Sequence, residues 1–161
     1  MVLRVEQSEK TEGIEKFLRL NSKNLRILGV FQVVNCRTFA SPWGNEDTQT
    51  LIDILEKFHV KTTFFVVGDW AEKYPESVKA LHDAGHEVMS HSNHHDHFNS
   101  LSADQIVADV TASNERIAAA SGVTPTLIRC PYGEYDDHVI SAIRSMGMEP
   151  IQWDVEQPEM T

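Results

Sequence analysis

Thr62-Thr63-Phe64-Phe65-Val66-Val67-Gly68 decides the fold. The run is of strand length, rich in β-branched and aromatic residues, and closed by glycine. Its apolar residues are consecutive rather than alternating, so both faces of the strand must be buried. A parallel sheet covered by helices meets that condition.

The chain on either side supplies the helices. Upstream, Leu51, Ile52, Leu55 and Phe58 recur at helical spacing, and Asn45 or Asp47 is placed to cap that helix. Before it, Asn35 to Gly44, with Pro42 and Gly44, reads as a loop, and Leu25 to Val34 as a buried strand. Residues 1–24 are charged and weakly patterned, with Ile14, Phe17 and Leu18 on one side of a short helix. Downstream, Pro75 suits the first turn of a helix running to Ala84, with Gly85 as its stop. A strand follows from His86 to Ser90. Ser102 and Gln105 form a capping box for a long helix bearing Ile106, Val107, Val110 and Ile117, ended by Gly122. Thr126 to Arg129 reads as a short strand and Cys130-Pro131-Tyr132-Gly133 as a loop. Asp136 or Asp137 opens a helix carrying Val139, Ile140, Ile143 and Met146 to Gly147, and Met148 to Val155 is the last strand. This β-α alternation, five times over without the last helix, predicts an α/β fold with parallel strands and right-handed crossovers.

In such folds chemistry gathers in the loops after the strand C-termini. Four polar or histidine-bearing segments fall there: Phe39 to Trp43, His91 to His97, Arg129 to Tyr132, and Trp153-Asp154. Four of the eight histidines lie in His91-Ser92-Asn93-His94-His95-Asp96-His97. Neutral imidazole is the commonest protein ligand for zinc-like metals, and the i, i+4 pair His91 and His95 can converge on one ion. His59, His82, His86 and His138 fall in helices or at strand starts and read as structural.

Composition bounds the function. The net charge of −10, with no stripe of Lys and Arg, argues against nucleic acid and anionic membranes as partners. No run approaches the roughly 18 apolar residues of a membrane helix. Cys36 and Cys130 cannot make a disulfide framework or a cysteine-only metal site. Charged residues interrupt Met1 to Leu20 throughout, so no secretory h-region is present and the chain reads as cytoplasmic.

Taken together, these motifs resemble the polysaccharide deacetylase, or NodB-homology, domain of carbohydrate esterase family 4. The sporulation-type bacterial members are most similar in texture. The likeness runs from about Thr38 to Asp154. It rests on Trp43-Gly44-Asn45-Glu46-Asp47-Thr48, Lys61 to Gly68, Gly85-His86-Glu87-Val88, His91-Ser92-x-x-His95, Leu101-Ser102, Arg129-x-Pro131-Tyr132-Gly133 and Gln152-Trp153-Asp154. The resemblance implies a distorted (β/α) barrel and metal-dependent removal of N-acetyl groups from amino-sugar polymers such as peptidoglycan or chitin. It implies a divalent metal, typically zinc, held by Asp-His-His. By position, His91 and His95 are the metal ligands, and His94 and His97 are not. Arg129 would orient the catalytic carboxylate, Tyr132 would offer its backbone N–H to the oxyanion, and Trp153 with Pro131 would line the substrate pocket. Family members usually work outside the membrane or in the wall.

The chain departs from the family at its first motif. Where the family has Thr-Phe-Asp-Asp-Gly, this chain has Thr38-Phe39-Ala40-Ser41-Pro42-Trp43. Ala40 occupies the position of the catalytic base and Ser41 that of the third ligand, while Glu46 and Asp47 are expected to be held by the helix start. Residues 1–37 read as a divergent N-terminal segment and residues 38–161 as a C-terminally truncated domain, a barrel of about five strands without the family's later Leu-His motif. Cys130 stands where proline is usual. The expectation is a deacetylase by descent, with a catalytically inactive metal- or glycan-binding relative, or a truncated gene product, as the alternative.

Overall fold

In the computed structural model the described residues are 37–39 and 44–152. Five parallel strands stand side by side in sequence order: β1 (Arg37–Phe39), β2 (Thr63–Val66), β3 (Glu87–Ser90), β4 (Leu127–Ile128) and β5 (Glu149–Pro150). Between them run α1 (Thr48–Lys57), α2 (Gly68–Lys73), α3 (Pro75–Asp83), α4 (Ala103–Ser121) and α5 (Asp137–Ser145). An unbroken order of parallel strands is the winding of a barrel wall. A doubly wound sheet would reverse direction at a switch point.

The two sheet faces bear this out. Phe64, Val66 and Val88 pack outward with Leu51, Leu55, Trp70, Val78, Leu81 and Ile117 from the helices. Ile128 does the same with Ile106, Val110, Val139 and Ile143. The alternate residues Phe65 and Met89, with Leu127 and Ile151, form a separate cluster on the other face. β2 is therefore buried on both sides, as its composition requires.

Local signals explain the helix ends. Ser102 and Gln105 close a reciprocal capping box on α4, and Gly122, at φ 79°, ends it in the left-handed conformation that costs glycine least. Pro75 opens α3. Asp47 is the N-cap residue of α1, without a side-chain capping bond.

Three expectations need correction. Arg37–Phe39, read as part of a loop, is a strand, because its backbone pairs in register with Phe64–Val66. Gly68 does not merely close a strand but starts α2, an additional helix. Cys130 to Gly133 is not plain loop, since Pro131–Gly133 is a single 3₁₀ turn. The strand expected over 25–34 and the end of the last strand beyond Gln152 lie outside the described residues.

His86 gives the fold an acid limit. Its buried Nδ1 accepts the Thr62 N–H at 3.3 Å, and its ring meets Phe64 edge-on. Burial, helped by the Lys61 charge, pushes its imidazolium down to about 4. A group depressed in the folded state binds its proton more readily when unfolded, so stability is full above the ordinary histidine range and falls as pH drops toward 4. Urea unfolding at pH 7 and pH 4.5 is expected to show that loss, and His86→Asn, which keeps an acceptor for Thr62, to lessen it, the remainder coming from His91 and His95. An equal slope in the variant would count against this origin.

Candidate functional site

The strand register builds the site. Phe39 lies opposite Val66, Val66 opposite Ser90, Ser90 opposite Ile128, and Ile128 opposite Pro150. All five strands thus end at one level. The next backbone bonds, His91 N–H to Val66 O (2.9 Å), Arg129 N–H to Ser90 O (3.0 Å) and Ile151 N–H to Ile128 O (2.7 Å), carry His91 and Arg129 onto the same rim.

His91 is buried and His95 half-buried, with ring centroids 4.9 Å apart. Nδ1 of His91 lies 2.6 Å from the Arg129 carbonyl oxygen. A carbonyl only accepts, so Nδ1 carries the hydrogen and Nε2 keeps its lone pair, the tautomer a metal ligand needs. Burial pushes the His91 imidazolium down to about 3, opposed by the bond to the Arg129 carbonyl and aided by the His95 and Arg129 charges. Burial also lowers His95. Both rings are held in the neutral, ligating form.

The turn that brings the pair together is strained. Ser92 (φ 68°) and His95 (φ 64°) occupy the left-handed region, as does Tyr132 (φ 56°) in the neighbouring loop. Such strain in non-glycine residues gathers at functional sites. Ser92 Oγ accepts the His95 N–H at 2.8 Å, and Gly68 and Asp69 donate their N–H groups to Ser92 O and Asn93 O. A side chain at Gly68 would collide with Asn93, so the glycine is there for close approach.

Two further histidines are committed to carboxylates rather than to the pair. Nδ1 of His94 lies 2.8 Å from Asp69, which hydrogen-bonds and raises it; the same partners, with Arg116, overcome burial to lower Asp69. Nδ1 of His97 lies 2.7 Å from Glu134 Oε1, whose Oε2 accepts the Asn99 N–H at 3.0 Å. Those two bonds lower the Glu134 carboxyl.

The predicted residues from the Arg-x-Pro-Tyr motif meet the pair. Arg129 is buried, with its guanidinium 4.8 Å over the Phe65 ring. Pro131 is buried at the start of the 3₁₀ turn. Tyr132 is 57% exposed; its ring stacks on His97 at 3.9 Å and meets His95 edge-on at 4.7 Å. Gln152 donates to the Gly133 carbonyl at 3.0 Å, tying the end of β5 to this loop. Trp153, Ala40 and Ser41 lie outside the described residues.

Two neutral imidazoles with one tautomer fixed fit a zinc-like ion. No third His, Cys, Asp or Glu joins them among the described residues. The reading from sequence did not anticipate the Arg129 carbonyl, Glu134 or Asp109. Ser92 did carry a signal, because a serine three residues before another N–H is a turn-forming acceptor.

Comparison with known proteins agrees with this geometry. Residues 35–151 match the model of the polysaccharide deacetylase family. Chitin deacetylase 1 of Cryptococcus neoformans is 37% identical over 66% of this chain and 23% of its own length. A peptidoglycan-N-acetylmuramic acid deacetylase of Bacillus subtilis is 31% identical over 73% of this chain and 45% of its own. The chain thus spans less than half the length of these curated relatives. Among solved structures, a family 4 carbohydrate esterase from Streptomyces lividans, in complex with acetate, is similar at TM-score 0.68 and 35% identity, over 76% of this chain and 62% of that one. A CE4-family pseudoenzyme from Bacillus anthracis is similar at TM-score 0.67 and 33% identity, over 72% of this chain and 41% of that one.

Proposed function

Because the chain belongs to the polysaccharide deacetylase family, we propose that its rim site removes acetyl groups from an N-acetylated amino-sugar polymer, peptidoglycan or a chitin-like glycan, with a divalent metal as cofactor and with turnover held low by Ala40. The observation that carries this reading is the His91–His95 pair, with the Arg129 carbonyl fixing the His91 tautomer.

His91 and His95 would hold the ion, and zinc suits imidazole ligands best. When bound, such an ion polarises a carbonyl and makes water a nucleophile near neutral pH. The protein's own groups do the rest. By the family motif Tyr132, in its strained turn, would offer a backbone N–H to the oxygen that gains charge as the amide carbon becomes tetrahedral. The stack on His97 and the Glu134 bonds hold that loop against the histidine loop. Pro131 fixes the backbone at the turn, and Trp153 is assigned to the pocket wall by the family motif. Hydrolysis breaks the amide C–N bond, leaving acetate and a free amine. Alanine at position 40 cannot take the proton of the attacking water, and this favours a second reading, a glycan-binding module without turnover.

The test is acetate release from N-acetylated chito-oligosaccharides and peptidoglycan by the zinc-loaded chain, beside glycan binding measured calorimetrically. Slow release abolished by chelation is expected. Binding without release supports the second reading, and neither zinc nor glycan binding would sink both. Ser92→Ala removes the acceptor of the His95 N–H without touching a ligand. It is expected to weaken zinc about tenfold, the low end for loss of an outer-shell partner. Chelator competition reads this directly, and an unchanged affinity would show that Ser92 does not position His95.

A further inference from the structure

We infer that Asp109 is a positioning residue for the His91–His95 pair: its carboxylate, on α4, clamps from behind the backbone that lies between the two imidazoles. The inference rests on the reading of that pair as a metal centre. Asp109 accepts the Asn93 N–H at 2.9 Å, and the neighbouring His94 N–H helps to draw its carboxyl down. Asn93 and His94 are the residues enclosed by His91, Ser92 and His95, so the clamp acts on the segment that sets the spacing of the ligands.

Asp109 belongs to a pattern along the helix. Asp109, Ser113 and Arg116, at i, i+4 and i+7, share one face of α4. On most helices such a face is apolar and meets the core. Here each member reaches the histidine segment or Ser90, the residue just before it. Asp109 accepts the Asn93 amide, Ser113 bonds the side chain of Ser90 at 3.0 Å, and Arg116 donates to the Asn93 side chain at 3.0 Å while pairing with Asp69 and Glu72. Ser90 and Ser113 are fully buried.

Stability of α4 does not account for the carboxylate. Its Oδ2 is buried with no hydrogen-bond partner among the described residues, and burial raises its pKa against the pull of the two amides. A half-satisfied buried carboxylate is costly, and an apolar residue would serve the helix better. What it secures is a turn with two non-glycine residues, Ser92 and His95, in the left-handed region. That turn would relax to another shape without bonds from outside. α2 supplies them on one side through Gly68 and Asp69, and Asp109 supplies them on the other.

The experiment measures zinc affinity by chelator competition in the full chain for wild type, Asp109→Ala, Asp109→Asn, Val110→Ala and His91→Ala. It also follows amide exchange at Asn93 without metal. Asp109→Ala is expected to weaken zinc at least about tenfold and to expose the Asn93 amide. Asp109→Asn keeps an acceptor oxygen and is expected to stay within about threefold of wild type with the Asn93 amide protected. Val110→Ala loosens the core beside Asp109 without touching the turn, and its zinc affinity is expected to be unchanged. Asp109→Ala with wild-type affinity overturns the inference, as does a loss in Asp109→Asn equal to that in Asp109→Ala. If wild type and His91→Ala bind zinc alike, the metal reading itself fails. Amide exchange then decides the clamp alone: protection lost in Asp109→Ala and kept in Asp109→Asn upholds it, and protection kept in both refutes it.

Discussion

His91→Ala and His95→Ala are each expected to abolish stoichiometric zinc, while His97→Ala and His94→Ala leave it unchanged. The four histidines sit within seven residues, so composition alone would treat them alike. Their surroundings do not. His91 is neutral because it is buried, and it holds a defined tautomer through the Arg129 carbonyl. His95 is lowered by burial and set in place by Ser92. His94 and His97 each have a ring nitrogen on a carboxylate, Asp69 and Glu134. Loss of an outer-shell partner typically costs about 10–100-fold in metal affinity, and loss of a ligand should exceed that range. Metal content after gel filtration, together with chelator competition, gives the answer. His91→Ala also leaves the Arg129 carbonyl without its bond and a void at the rim, so its folding is to be checked by circular dichroism. His95→Ala, at a half-buried position, carries less of that burden. Full zinc in the double variant would remove both residues from the site.

Much of this arrangement was legible in the chain, for reasons that differ from residue to residue. Thr62 to Val67 announced a strand buried on both faces because no polar residue interrupts the apolar core of the run. Ser102 with Gln105, and Pro75 with Gly85, marked helix ends because capping is local chemistry. α2 was missed because Gly68 looked like punctuation, whereas its real constraint is the Asn93 side chain packed against it from another element. β1 was missed because three residues, Arg37–Phe39, carry too little pattern to outweigh nearby proline and glycine, and only pairing with β2 decides them. The His91–His95 pair could be read from spacing. The carbonyl that orients His91 could not, because a backbone acceptor has no signature in sequence. Asp109 was invisible for a related reason: a polar residue on an amphipathic helix is assigned to solvent until the neighbouring loop is known.

Ala40→Asp is expected to raise acetate release from the zinc-loaded chain by about 10²-fold or more, given that a positioned general base typically contributes about 10²–10⁴. β1 ends level with Ser90, the residue before His91, and position 40 follows Phe39 in the sequence. A carboxylate there adds what the histidine pair and the Tyr132 loop cannot supply, a group that takes a proton from the attacking water. Since that interaction exists only as the water attacks, the gain should lie in kcat, with KM little changed. Ala40→Asn controls for size and polarity and should leave the rate at the wild-type level. Adding Ser41→Asp, at the position the family gives to the third ligand, should tighten zinc and raise the rate further. Two outcomes count against the assignment: rapid turnover by the unaltered chain, or equal rates for Ala40→Asp and Ala40→Asn. The first would mean that another group already serves as base; the second would mean that proton transfer is not what limits this site. If instead only the aspartate variant gains, the histidine pair and the Tyr132 loop already support the reaction, and the carboxylate missing at position 40 is what chiefly limits turnover.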